Sequence, residues 1–209
     1  MNILIVKYLP GREFSNTAKL HAFTKEIIGK DHSIEELDLE TSPPPYFDHS
    51  ILMNYYKRNY QGKALSDEEN SKMMAMDKLT KQLTKADIVL LFSPMHNFGM
   101  PGLVKLWFDA VMQKGIAFDY GDIGPFGKFT KKKALTVFTS GGEYSCKQVT
   151  TNYPEWDTFS FLTKIEFTFM GFKEIEVVTA STSNPNNKEK NIHSAKNRIE
   201  EILKTWNLL

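Results

Sequence analysis

A chain of 209 residues, 41% hydrophobic and 24% charged, is long enough to bury one continuous α/β core without disulfide or metal staples, so one domain over residues 1–209 is expected. Lysine plus arginine number 26 against 25 acids, a net charge of +1 that argues against nucleic acid or an anionic membrane as main partner and for a small molecule. The lone cysteine, Cys146, excludes an internal disulfide and a cysteine metal site. The start MNILIVKYLP has no leader features, and the longest apolar run, residues 88–92, is far short of the ~20 needed to cross a bilayer, which predicts a cytoplasmic protein with no metal.

Residues 1–6 form an apolar run, polar and glycine positions follow, and Leu20, Phe23 and Ile27 then recur at helical spacing: strand, loop, helix. A weaker strand is expected over residues 34–37. Pro43, Pro44 and Pro45 form a biased segment too short to be a linker. Ser66 with Glu69 makes a capping-box pattern, opening a helix whose Met73, Met76, Leu79 and Leu83 share a stripe and read as core. Residues 88–92 read as a buried strand. Pro101 then sits where a first helical residue tolerates a missing N–H, and the helix it opens buries Leu103, Trp107, Ala110 and Val111 and stops at Gly115 as a left-handed cap.

Gly121, Gly124 and Gly127 read as turn residues, because a dinucleotide fingerprint needs a strand-to-helix context. Residues 134–139 are a third buried strand. Trp156, Phe159, Leu162, Ile165 and Phe169 mark a helix ending at Gly171, residues 175–179 another strand, and Ile192, Ala195, Ile199, Ile202, Leu203 and Trp206 a closing amphipathic helix. Five strands alternating with helices imply a parallel sheet covered on both faces. In so short a chain this favours a three-layer flavodoxin-like α/β fold with strand order 2-1-3-4-5.

In such a sheet the ligand lies beyond the C-terminal strand ends at the switch point, so the loops after the first, third and fourth strands should carry the chemistry. The first delivers Ser15, Asn16 and Thr17 to a helix start, where free N–H groups and the dipole favour a phosphate; the same residues also make a plain N-cap. No G-x-x-x-x-G-K-[ST] is present, which removes the lysine and magnesium ligand of triphosphate hydrolysis. The second loop, Ser93-Pro94-Met95-His96-Asn97-Phe98-Gly99-Met100-Pro101, offers apolar walls, backbone N–H groups and stiff proline ends to a flat ring such as an isoalloxazine. By composition alone it is equally a βα turn with an exposed histidine. In the third, Thr139-Ser140-Gly141-Gly142-Glu143-Tyr144, two glycines let backbone approach a ligand, or simply make a tight turn.

The run SPMHNFGMPGLVKLWFDAVMQKGIAFDYGDIGPFGKFTKKKALTVFTSGGEYS, residues 93–145, closely resembles the FMN-dependent NADH-azoreductases, which are also NADH:quinone reductases; P-M-x-N-F followed by a strand ending in T-S-G-G is its specific part, and the likeness extends over essentially the full length. The resemblance implies a flavodoxin-like homodimer with one FMN per subunit near the interface. By position, the phosphate falls to Ser15, Asn16 and Thr17, and the ring and ribityl contacts to Pro94, Met95, His96, Asn97 and Phe98 and to Thr139, Ser140, Gly141 and Gly142. Three positions depart from the family pattern: Leu9 stands where a serine is frequent, Ser140 where many members have arginine, and His96 where many have tyrosine.

The implied cycle is ping-pong: NADH or NADPH reduces FMN and leaves, and a quinone or azo compound enters the same slot. His96 is the candidate proton donor because imidazole exchanges protons near neutral pH, with solvent as the other source. Phe118 and Tyr120 match family positions lining the substrate slot, though by pattern they are a short strand with aromatics inward. Tyr46, Phe47, Tyr55, Tyr56 and Tyr60 interleave with Lys57 and Arg58, a pattern also found in RNA-stacking segments, which the charge balance disfavours. The resemblance instead implies that residues 43–63 cover the flavin at the dimer contact, with Arg58 meeting a dinucleotide phosphate or anionic dye. Cys146, with no visible histidine partner, reads as an incidental thiol. Two rival classes are a non-enzymatic flavodoxin-type electron carrier, which would need a charged docking face, and a flavin- or nucleotide-sensing module that binds without turnover.

Overall fold

The computed structural model describes residues 1–144 and 156–209, so the thiol assigned to Cys146 lies outside the described residues. Along the chain run β1 (Asn2–Lys7), α1 (Asn16–Ile27), β2 (Ser33–Asp38), α2 (His49–Tyr55), α3 (Asp67–Lys85), β3 (Ile88–Pro94), α4 (Gly102–Val111), β4 (Phe118–Gly121), β5 (Gly124–Gly127), β6 (Lys133–Ser140), α5 (Thr158–Phe169), β7 (Glu174–Ser181) and α6 (Pro185–Thr205). Five strands form a parallel sheet in the order β2-β1-β3-β6-β7. The expected order 2-1-3-4-5 took no account of the antiparallel β4–β5 hairpin, so the strands beyond β3 are the sixth and seventh. FDYG alternates as a short strand, but GPFG is half glycine and carries no apolar periodicity that would announce its partner.

Because strand side chains alternate between faces, β1 sends Ile3 and Ile5 to one side and Leu4 and Val6 to the other, and all four are buried. Ile3 and Ile5 join Ile88, Leu90, Phe92, Leu135 and Val137 beneath α1 and α6; Leu4 and Val6 join Val89, Leu91 and Ala134 beneath the remaining helices. This is why β1 and β3 read as unbroken apolar runs. Among the described residues no helix is long and apolar enough to cross a membrane.

Several local expectations hold in detail. Glu69 N donates to Ser66 Oγ at 3.3 Å and Ser66 N to Glu69 Oε2 at 2.7 Å, closing the capping box of α3, whose Met73, Met76, Leu79 and Leu83 are buried. α5 ends in a Schellman motif: Gly171, at φ +97, donates its N–H to Thr168 O, and Phe172 donates to Phe167 O.

Others are corrected. Pro101 is the N-cap of α4 and Gly102 its first residue, a shift of one position. α4 ends at Val111, and Gly115, at φ +87, turns the chain toward β4 by donating to Phe118 O. On α5 the buried positions are Phe159, Thr163 and Phe167, whereas Leu162 and Ile165, with Phe161, lie exposed. Thr163 buries its hydroxyl by donating to Phe159 O, so a polar residue occupies the core stripe and the apolar pattern indicates the wrong face.

Candidate active site

Lys7 pairs with Phe92 across β1–β3 and Pro94 with Thr139 across β3–β6, so these strands finish nearly level and release their loops from one edge of the sheet. The loops are bonded to one another. Thr17 Oγ1 and Thr139 Oγ1 lie 2.8 Å apart in a buried contact that joins the first loop to the third, and Met95 N donates to Thr139 O at 2.8 Å, joining the second to the third. The Tyr8 ring meets that of His96 edge-on at 5.8 Å, closing the set between the first and second.

At the first loop Ser15 is the N-cap of α1, its Oγ accepting from Ala18 N at 3.1 Å. Asn16 and Thr17 follow at the helix start, where N–H groups have no intrahelical acceptor. Asn16 Oδ1 is buried and has no hydrogen-bond partner. An unmet buried amide oxygen costs about 1–3 kcal/mol, so this atom is one that a bound group could satisfy. Ser15 thus fills the cap role, and beside it Asn16 Oδ1 is left without a partner.

The second loop turns on two residues. His96 and Gly99 exchange both backbone hydrogen bonds, at 3.1 and 2.9 Å, around Asn97 at φ +45 and Phe98 at φ +69. Two positive φ values are the signature of a type I′ turn, easy for Asn and strained for Phe, by about 1 kcal/mol. The turn leaves His96, Asn97 and Phe98 exposed. Phe98 is held by Tyr144 at 5.5 Å and Trp156 at 4.7 Å, both edge-on, and its carbonyl accepts from Thr158 Oγ1.

In the third loop the two glycines differ. A Cβ on Gly142 would come within 3.0–3.1 Å of the Tyr144 ring, so that glycine makes room for its own neighbour, whereas a Cβ on Gly141 would meet nothing within 4 Å. Gly141 is the one open to a ligand. The Ser140 hydroxyl is committed, donating to Gly142 O at 2.7 Å. Behind the loop a cavity of about 190 Å³ touches Met95, Ser140, Tyr144 and Asn191. It falls below the ~300–1,000 Å³ of ordinary cofactor pockets, so the candidate site is the open groove between the loops.

Beside the groove, Glu36 of β2 gathers Lys7 at 2.7 Å, Lys25 at 2.9 Å and His21 at 3.2 Å, tying α1 to the sheet edge. Burial works to raise the Glu36 pKa, but the hydrogen bonds from Lys7 and Lys25 and the charges around it outweigh burial and bring it to about 2. Burial lowers the His21 pKa against the pull of Glu36. A carboxylate with a depressed folded pKa stabilises above its ordinary value near 4.5 and loses that contribution as pH falls toward 2. Glu36→Gln is thus expected to lower stability by on the order of 1–2 kcal/mol at pH 7, after discounting for screening of a partly exposed group, and by almost nothing near pH 2; urea unfolding at both pH values checks this.

Arg58, Phe118 and Tyr120 are placed apart from the three loops. Arg58 lies on a π-helical turn and donates to Asp77 at 2.8 and 2.9 Å and to Gln113 Oε1 at 2.9 Å, so its guanidinium is engaged within the fold. Phe118 is buried and Tyr120 exposed; Tyr120 neighbours Tyr60, which stacks on Tyr56. Two residues apart on β4, they share one face as strand alternation requires, with ring centroids 5.9 Å apart, but only Phe118 points inward, packing on Phe169 at 4.8 Å, whereas Tyr120 nearer the hairpin end stays exposed. The sequence reading did not single out Tyr8 or Thr158, whose contacts with His96 and Phe98 join residues 60 to 88 positions apart and leave no local signal.

A family model for the flavodoxin-like fold matches residues 1–203, so the chain belongs to that family. The FMN-dependent NADH:quinone oxidoreductase of Hydrogenovibrio crunogenus is 33% identical over 147 residues, 70% of this chain and 68% of that one. The protein of the same name from Erythrobacter litoralis is 30% identical over 203 residues, 95% of this chain and 96% of that one. An FMN-dependent NADH-azoreductase from Bacillus anthracis, solved in complex with FMN, shares the fold with a TM-score of 0.83 at 23% identity, over 96% of this chain and 98% of that one. Within the flavodoxin-like fold, the chain is a member of the FMN-dependent NADH:quinone oxidoreductase family.

Proposed function

We propose that this chain is an FMN-dependent oxidoreductase that carries two electrons from NADH or NADPH to quinones and azo compounds, as a single cytoplasmic domain over residues 1–209. The observation that carries the reading is the convergence of three strand-end loops on a groove holding the unpartnered Asn16 Oδ1. The names of the relatives support the cofactor and both acceptor classes.

The residues present fit FMN. Ser15, Asn16 and Thr17 would hold its phosphate with helix-start N–H groups and side chains, and the Asn16 amide offers an acceptor to a ribityl hydroxyl or, rotated, a donor to the phosphate. Pro94, Met95, His96, Asn97 and Phe98 would wall the ring, and Thr139, Ser140, Gly141 and Gly142 would border its polar edge, with backbone N–H groups suited to negative charge. When bound, FMN supplies the hydride chemistry. The protein's part is to orient both substrates in one slot, used in turn, and to manage a proton; exposed His96 is the candidate donor at its imidazole.

A homodimer belongs to this reading. Exposed Phe161, Leu162 and Ile165 on α5, with Tyr56, Tyr60 and Tyr120, are apolar surface of the kind a second copy covers. Such a contact would let the exposed aromatics of residues 43–63, with Tyr120 seated on buried Phe118, complete a neighbouring site that they do not reach within their own subunit.

Purified protein is expected to be yellow, to bleach with NADH without oxygen, and to recover colour with benzoquinone. Initial rates against both substrates should give parallel double-reciprocal lines, and His96→Ala, assayed at saturating FMN because His96 also walls the ring, should lower kcat about tenfold. A colourless preparation that takes up no added FMN sinks the cofactor reading; an unchanged kcat in the variant assigns proton delivery to solvent.

A further inference from the structure

Within the first loop, Arg12 has a left-handed backbone at φ +46. That conformation strains an ordinary L-residue and suits glycine, yet a long cation occupies it. Three turns hold it there: Arg12 N donates to Leu9 O, Phe14 N to Gly11 O and Ser15 N to Arg12 O, at 2.9–3.0 Å. The last bond roots Arg12 beside the N-cap of α1.

The guanidinium has only a loose partner. It lies 3.6 Å from Glu40, with the arginine side chain 77% exposed, a pair worth little in water. The rest of the phosphate cradle is short of positive charge. Lys7 is spent on Glu36 and Asp38, Leu9 packs into the core and offers no hydroxyl, and the Ser15 and Thr17 hydroxyls already bond Ala18 N and Thr139. What remains is neutral donors and the half-charge of a helix end, against a phosphate of about −1.5 to −2 at pH 7.

We propose that Arg12 is the specificity-determining clamp for the flavin phosphate: its guanidinium leaves Glu40 and pairs with the phosphate, so that this loop selects FMN over riboflavin, with Glu40 as the competing anion. The proposal rests on the FMN reading and deepens it. Strain at position 12 then has a purpose, since it aims a cation from the loop that abuts the helix start.

The test titrates flavin-stripped protein with FMN and with riboflavin, following flavin fluorescence. Arg12→Ala and Arg12→Gly should each weaken FMN about tenfold and leave riboflavin within about twofold, and Glu40→Gln should strengthen FMN a fewfold. The FMN dissociation constant should also depend less on salt in Arg12→Ala than in the parent. Because glycine accepts φ +46 freely, Arg12→Gly should melt no lower than the parent, which separates lost charge from lost structure. Equal losses for both flavins, an unchanged FMN affinity in Arg12→Ala, or the same selective loss in Lys19→Ala at the exposed first turn of α1 would overturn the clamp. A parent protein that binds FMN while Arg12→Ala binds it equally well ends this proposal alone; a parent that binds neither flavin ends the cofactor reading with it.

Discussion

Gly127→Ala is expected to destabilise the protein by about 3 kcal/mol or more, read as a fall in the urea midpoint. A Cβ at position 127 would stand 2.1 Å from Gly171 N and 2.2 Å from Met170 C, so it would overlap backbone, with no flexible side chain to step aside. Gly171 cannot retreat cheaply. Its φ of +97 and its hydrogen bond to Thr168 make the cap of α5, and Met170 O accepts from Phe129 N as the chain leaves the β4–β5 hairpin. The hairpin therefore sits on a helix end with two glycines in backbone contact, and enlarging one forces either the cap or the hairpin to move. Gly124→Ala is the control: its φ is +121 but a Cβ there would meet nothing within 4 Å, so only conformational strain of roughly 1–3 kcal/mol applies. Equal small losses in both variants would show that the Gly127–Gly171 contact carries no constraint.

Arg58→Ala is expected to cost about 2–3 kcal/mol of stability and to leave both Michaelis constants within about twofold. The guanidinium holds Asp77 through two hydrogen bonds and Gln113 through a third, and Gln113 is fully buried, its amide also donating to Thr80 Oγ1 at 2.8 Å. Removing the arginine leaves the Gln113 oxygen without its donor and Asp77 with only a long 3.4 Å bond from Gln113 Nε2, and it is the buried oxygen that dominates, because Asp77 remains in reach of water. Arg58→Lys should recover little, since one ammonium cannot reproduce a three-bond fork. Alongside, Asn59 Nδ2 donates to Lys114 O and Lys114 N to Tyr55 OH, so residues 55–59 are stapled to the turn after α4. Raised Michaelis constants for both substrates with unchanged stability would return Arg58 to the substrate-binding role that the family resemblance implied.

The two substitutions mark where reading the chain reached its limit. Apolar runs at residues 88–92 and 134–139, the second broken only by Thr136 and Thr139, announced buried strands because a parallel strand covered on both faces reads as a nearly continuous apolar run. Ser66 with Glu69, and Gly171 after α5, announced helix ends because caps are chemistry between near neighbours. From these the layered sheet followed, and with it the edge from which three loops leave. The Ser15 to Thr17, Pro94 to Phe98 and Thr139 to Gly142 segments are brought to one groove by the strand register.

What escaped was set by partners far along the chain. Nothing near Arg58 in sequence foretells Asp77 and Gln113, nothing near Thr163 says that a threonine will face the core while Leu162 and Ile165 face out, and nothing near Gly141 and Gly142 says that one makes space for Tyr144 and the other faces open space. Hydrophobic period and capping are short-range and can be read from the letters in order. Which cation is spent, which amide oxygen is left unmet and which face stays bare depend on contacts between segments that meet only when the sheet has assembled.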